Sequence, residues 1–181
     1  MAEPNDTLKV SKTDAAKRQL ESAIRLWFYD GDPVSIHTLA AAAHQVVHDL
    51  GKARGITATL RELPDIRPEF KKRMHAAVAR DENFFKHADR DPDALLQFKP
   101  ITTSYYLIDA VLTYELLTGE SPPVMRTFRM WMMIQNPELV KADIRDAWLA
   151  NLQQAGSMLT GMAKQEFFTT YQHVIAMHQT S

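Results

Sequence analysis

Ser11-Lys12-Thr13-Asp14-Ala15-Ala16-Lys17-Arg18-Gln19-Leu20-Glu21-Ser22-Ala23-Ile24-Arg25-Leu26-Trp27-Phe28-Tyr29-Asp30-Gly31-Asp32-Pro33 decides the fold class. It opens on a hydroxyl cap, Ser11, with a carboxylate three residues on, the pattern of a helix start. Ala16, Leu20, Ala23, Ile24 and Trp27 then recur at helical spacing. Gly31 stops this helix and Asp32-Pro33 starts another at once, Asp as N-cap and Pro in the first turn. The second helix runs to about Leu50, with Ile36, Leu39, Ala40, Ala43, Val47 and Leu50 as its apolar face. Its small residues Ala40 and Ala43 let a neighbour approach closely. Two helices joined by so short a turn pack antiparallel.

The rest of the chain continues in helical periods. Residues 51–68, with Gly51, Gly55, Pro64 and Pro68, read as a loop long enough to gate a site. A third helix begins near Pro68 and carries Phe70, Met74, Ala77, Val78, Phe84 or Phe85, and Ala88 as core positions; Asp91-Pro92 ends or bends it. Thr102, Thr103 or Ser104 caps a fourth helix that runs to about Leu117 and stops at Gly119. Residues 123–135 form a fifth, and Asn136-Pro137-Glu138 caps a sixth. Residues 165–178 form the last. No convincing period-two strand occurs. The expected fold is all-α: a single-domain helical bundle of about six to seven helices over residues 11–181, behind a disordered tail at 1–10.

Composition bounds the function. The chain has 181 residues, no cysteine and a net charge of −1. Disulfides, thiolate zinc sites and cysteine nucleophiles are excluded. A near-neutral balance implies no general affinity for nucleic acid or anionic membrane, so such binding needs a local patch. No apolar run approaches a membrane span and the N-terminus carries no signal-peptide core, so a soluble, cytoplasmic protein is expected. No Gly-rich phosphate loop, nucleotide fingerprint or Gly-x-Ser-x-Gly occurs, so no nucleotide cofactor is expected.

Residues 80–91, Arg-Asp-Glu-Asn-Phe-Phe-Lys-His-Ala-Asp-Arg-Asp, hold the densest chemistry. At about 100° per residue, Arg80, Asn83 and His87 share a helix face, while Phe84, Phe85 and Ala88 point elsewhere. A guanidinium binds phosphate in two-pronged fashion and stabilises developing charge. An imidazole of near-neutral pKa can move the proton of a 2′-hydroxyl or a leaving oxygen. By spacing alone this is the ordinary pattern of a solvated, charged helix face, with Asn83 hydrogen-bonded to a neighbour. The segment is locally basic through Arg67, Lys71, Lys72, Arg73, Arg80, Lys86 and Arg90, and Glu69, Asp81, Glu82, Asp89 and Asp91 offset most of that charge.

Arg80-Asp81, followed after five more residues by His87, resembles the motif of HEPN domains, in which Arg and a polar residue precede His on a helix of a bundle. Residues 12–50 resemble the long antiparallel pair with which that fold begins, and the resemblance covers roughly residues 12–118; residues 123–178 would be additional C-terminal helices. It implies a metal-independent endoribonuclease with Arg80 and His87 as the catalytic pair and Asp81 or Asn83 in support. It further implies an RNA partner and a homodimer whose motifs face one another. Many such domains are instead non-catalytic RNA-binding or toxin-partner modules.

Two further constellations stand out. His37, His44 and His48, at spacings of seven and four, lie on one face of the second helix, and His75 could join them. Histidines at i and i+4 can share a metal. The Glu-x-x-His sets of helical di-iron bundles are absent, with no Glu at 34, 41 or 45, so no metal is expected and these histidines read as boundary residues, packed on one side and wet on the other. Met125, Phe128, Met130, Trp131, Met132, Met133 and Ile134 make the fifth helix apolar nearly all round. That suits a central core helix, or a subunit interface if the stretch is exposed. An exposed stretch there is the basis of the alternative function: a non-enzymatic helical interaction protein in which residues 80–91 are structural.

Overall fold

The structure, a computed structural model, describes residues 7–56, 80–89, 91–136 and 161–179. Its elements are α1 (Lys12–Phe28), α2 (Pro33–Ala53), a helical segment at residues 80–86 (α3), α4 (Ile101–Thr118), α5 (Pro123–Gln135) and α6 (Lys164–Gln179). Among the described residues there is no strand, and the fold is an all-α helical bundle. No described helix is long and apolar enough to cross a membrane. The sixth helix expected after Asn136, the start of the third near Pro68, and His75 lie outside the described residues.

Local chemistry starts the first two helices. Ser11 Oγ accepts from the Asp14 N–H at 3.0 Å while the Asp14 carboxylate accepts from the Ser11 N–H at 3.2 Å, a reciprocal capping box. Asp32 accepts from the Ser35 N–H at 2.7 Å, with Pro33 in the first turn. Residues 29–32 form the connection, and α1 and α2 pack along one another as a hairpin. Ala16, Leu20, Ala23, Ile24 and Phe28 of α1 and Ile36, Ala40, Ala43 and Val47 of α2 are buried in it.

α2 continues through Gly51 to Ala53, past the Leu50 end expected from the sequence. Gly51 is buried where α2 meets α4, and a Cβ there would lie 3.6 Å from the Thr113 methyl. This packing carries the helix through a weak helix former. Gly55, at φ 69°, marks the exit instead. α3 ends at Lys86 and not at Asp91-Pro92, which leaves Ala88 exposed where a core position was expected. Asp89 and Asp91 in a further turn would sit against the negative end of the helix dipole.

α4 is the central helix of the described residues. It buries Thr103, Ser104, Tyr106, Leu107, Ile108, Asp109, Ala110, Val111, Thr113, Tyr114 and Leu117, and it packs on α1, α2 and α5. Its N-cap is Pro100, with no side-chain cap; Thr103 and Ser104 turn inward to other partners. The Met-rich α5 covers one side of this core through Val124, Met125, Phe128 and Met132. Met130, Trp131, Met133 and Ile134 are half-buried, so α5 presents none of these side chains as an exposed patch. α6 closes the aromatic end: Phe167 and Phe168 are buried against Trp131 and Phe28, with ring centroids 5.1 and 4.7 Å apart.

Candidate functional site

Arg80, Asn83, Phe84, His87, Asp89 and Asp91 line one open cleft of about 560 Å³. Arg80, Asn83 and His87 are exposed, so the trio expected on one helix face does share one solvent-facing site. His87 sits one residue past the helical segment, yet its backbone N–H still donates to the Asn83 carbonyl at 3.0 Å. That bond keeps the imidazole in register with the face above it.

Asp81 is not part of that face. It points inward and is only 2% exposed. Arg80 turns its guanidinium onto it: Nε donates to Asp81 Oδ1 at 2.8 Å, and Nη2 lies 2.6 Å from the same oxygen. Two of the five N–H groups of the guanidinium are thus engaged, and the others have no partner among the described residues. Asp81 therefore holds Arg80 in one orientation at the price of part of its charge. The basic residues expected to enrich this surface, Arg67, Lys71, Lys72, Arg73 and Arg90, lie outside the described residues. Lys86 is paired with Glu82 one turn back. Asp89 and Asp91 give the rim a mixed charge; they adjoin the motif in sequence, but only the early end of α3 brings them to the cleft.

The two phenylalanines anchor the segment. Phe84 and Phe85 pack edge to face at 5.9 Å, and Phe85 meets Phe98 at 5.2 Å and His37 at 5.6 Å. This is where α2 supports the cleft. His37 and His44 are buried at 0% and 5% exposure, which overturns the boundary reading. Their partners are on α4: His37 Nδ1 lies 3.0 Å from Thr103 Oγ1, and His44 Nε2 donates to Asp109 Oδ2 at 2.6 Å. Burial pushes the His37 pKa down, against the pull of Asp81 and Glu82. His48 is half-buried and stacks on His44 at 6.3 Å. No group of three or more metal-ligating side chains occurs among the described residues.

A second cavity, of about 340 Å³, lies where α1 ends and α2, α4 and α6 begin. Its polar side chains serve one another: Lys164 pairs with Asp30 and sits 4.6 Å over the Trp27 ring, and Trp27 Nε1 donates to Ser104 Oγ at 3.1 Å. The α3 cleft offers the less committed chemistry.

Compared with protein-family models, curated proteins and solved structures, the chain matches none.

Proposed function

We propose that this chain is an RNA-directed protein of HEPN-like type, a metal-independent endoribonuclease that works as a dimer, with Arg80 and His87 as its catalytic pair. The carrying observation is that both side chains are exposed and line one cleft with Asn83. In this reading the free N–H groups of Arg80 receive a phosphate. His87 takes the proton of the 2′-hydroxyl as that oxygen attacks the adjacent phosphorus, the P–O bond to the 5′-oxygen breaks, the leaving oxygen takes a proton from water, and His87 returns its own to solvent. The products would be a 2′,3′-cyclic phosphate and a 5′-hydroxyl. Asp81 keeps the guanidinium in place, and Asn83 offers an amide to the same ligand. The alternative, a helical docking protein, loses its exposed Met-rich patch, because α5 is buried or half-buried over Met125–Ile134.

The test is cleavage of several RNAs by the purified protein in EDTA, wild type beside His87→Ala matched in folding by circular dichroism. Cleavage that survives the chelator and disappears in the variant is expected. No cleavage by the wild type removes the nuclease reading.

A further inference from the structure

His37 occupies an unusual place for an ionisable side chain. It is fully buried on α2, at the point where α3 and the chain ahead of α4 come together. Its ring stands 5.6 Å from Phe85, 5.2 Å from Phe98 and 5.6 Å from Tyr106. Among the described residues, Nδ1 has a hydrogen-bonding neighbour, Thr103 Oγ1 at 3.0 Å. Nε2 is buried with no hydrogen-bond partner among the described residues. In either tautomer, one nitrogen is served by Thr103 and the other is left to the aromatic rings.

We propose that His37 is an acid-released latch: neutral, it clamps Phe85 and so seats α3 and its cleft on the hairpin; protonated, it lets that segment go. Protonation puts a second N–H donor, carrying charge, where the described residues offer no acceptor. The aromatic rings around it replace little of the hydration that a charged imidazole loses on burial. The charged groups that bear on it come from α3: Asp81 and Glu82 favour the imidazolium and Lys86 opposes it. Asp81 is already held by Arg80, and Glu82 by Lys86. α4 contributes the Thr103 hydroxyl and the Tyr106 ring, and its Asp109 is bonded to His44. Burial outweighs these attractions and holds the His37 pKa below its ordinary value. The sign follows: above about pH 6.5 both the closed and the opened segment carry a neutral His37, and below it the opened one gains the proton first. Each pH unit below that value favours opening by up to about tenfold. The latch is independent of what the cleft binds, and its test uses no RNA.

The experiment is hydrogen exchange, read by mass spectrometry on peptides covering residues 80–98, at pH 7.5 and 5.5 and corrected for the intrinsic rates. Wild type is compared with His37→Gln, whose amide can still meet Thr103 but cannot charge. Expected is a loss of protection of up to about tenfold across this segment in wild type at pH 5.5, with the variant flat. Equal loss in both proteins, or none in wild type, overturns the latch. Should the variant fail to fold, a proton NMR titration of wild type decides. A His37 ring that titrates below the ordinary range together with shifts in the Phe85 and Phe98 rings supports the latch. A ring that titrates at or above that range overturns it.

Discussion

His44 Nε2 and Asp109 Oδ2 meet at 2.6 Å across the α2–α4 contact, both side chains about 5% exposed. The pair ties the hairpin to the central helix, and Asp109 also carries the backbone carbonyl that accepts from the Thr113 hydroxyl at 2.8 Å. Breaking a buried, hydrogen-bonded pair from one side leaves a desolvated partner. Asp109→Ala, which removes the acceptor, should therefore destabilise the protein by about 3 kcal/mol, read as a lower urea midpoint at unchanged m-value. The thermal midpoint should fall by roughly 10 °C for a chain of this length. His44→Gln keeps a donor and should lose only about 1 kcal/mol.

Arg80 and Asp81 make a separate prediction for the cleft. Arg80→Lys keeps the charge and loses the fork that holds on to Asp81. RNA binding should keep its salt dependence, because the phosphate still meets a cation. Cleavage should fall by about a hundredfold, as the positioned donors are gone. Asp81→Asn leaves Arg80 charged and poorly held, and should slow cleavage by about tenfold through misplacement. Single-turnover rates beside filter-binding constants separate the two effects. Equal loss of binding and cleavage in Arg80→Lys would contradict the positioning role.

The acid profile should have two legs. Hydrogen bonds from Ser11 lower the Asp14 pKa, and the Ser35 N–H lowers that of Asp32; both caps hold best as carboxylates. Asp30 beside Lys164 and Glu120 beside Lys17 are lowered as well. For all four the folded value lies below the unfolded one, so their contribution is present above about pH 4 and is lost as pH falls through the folded values. The buried His37 loosens the fold earlier, beginning near pH 6.5. A series of thermal melts from pH 8 to 3 should show both descents, and His37→Gln should abolish the upper one alone.

How much of this was legible in the sequence follows the reach of each interaction. Ser11 with Asp14, Asp32 with Pro33, and Gly119 at φ 72° act within a few residues, and each could be read from its neighbours. The burial of His37 and His44 could not. Their partners Thr103 and Asp109 stand 66 and 65 residues away, and a histidine without its partner reads as a surface residue. α4 misleads for the same reason. Its Thr103 and Ser104 read as caps, yet both are buried and hydrogen-bonded to side chains of α2 and α1. The cleft was half legible. Helical spacing brought Arg80, Asn83 and His87 together, but the inward turn of Asp81 and the arrival of Asp89 and Asp91 depend on where α3 stops.

Trp27 tests whether α4 is held at its first turn as firmly as at its middle. Its Nε1 donates to Ser104 Oγ at 3.1 Å, and Ser104 is buried. The indole also meets Phe28 and Phe128 edge to face, each at 5.1 Å, and carries Lys164 over its face. Trp27→Phe retains an aromatic body, loses the donor and weakens the cation contact, so Ser104 is left without the indole. The expected loss is about 2 kcal/mol, from the unserved hydroxyl and the smaller ring together. Ser104→Ala alone leaves the indole N–H unserved in a half-buried position and should lose about 1 kcal/mol. The double variant should then be more stable than the sum of the two losses implies, with a coupling of about 1 kcal/mol in a urea-denaturation cycle. Strict additivity would mean that Trp27 holds α4 through packing alone and that the 3.1 Å bond contributes nothing net.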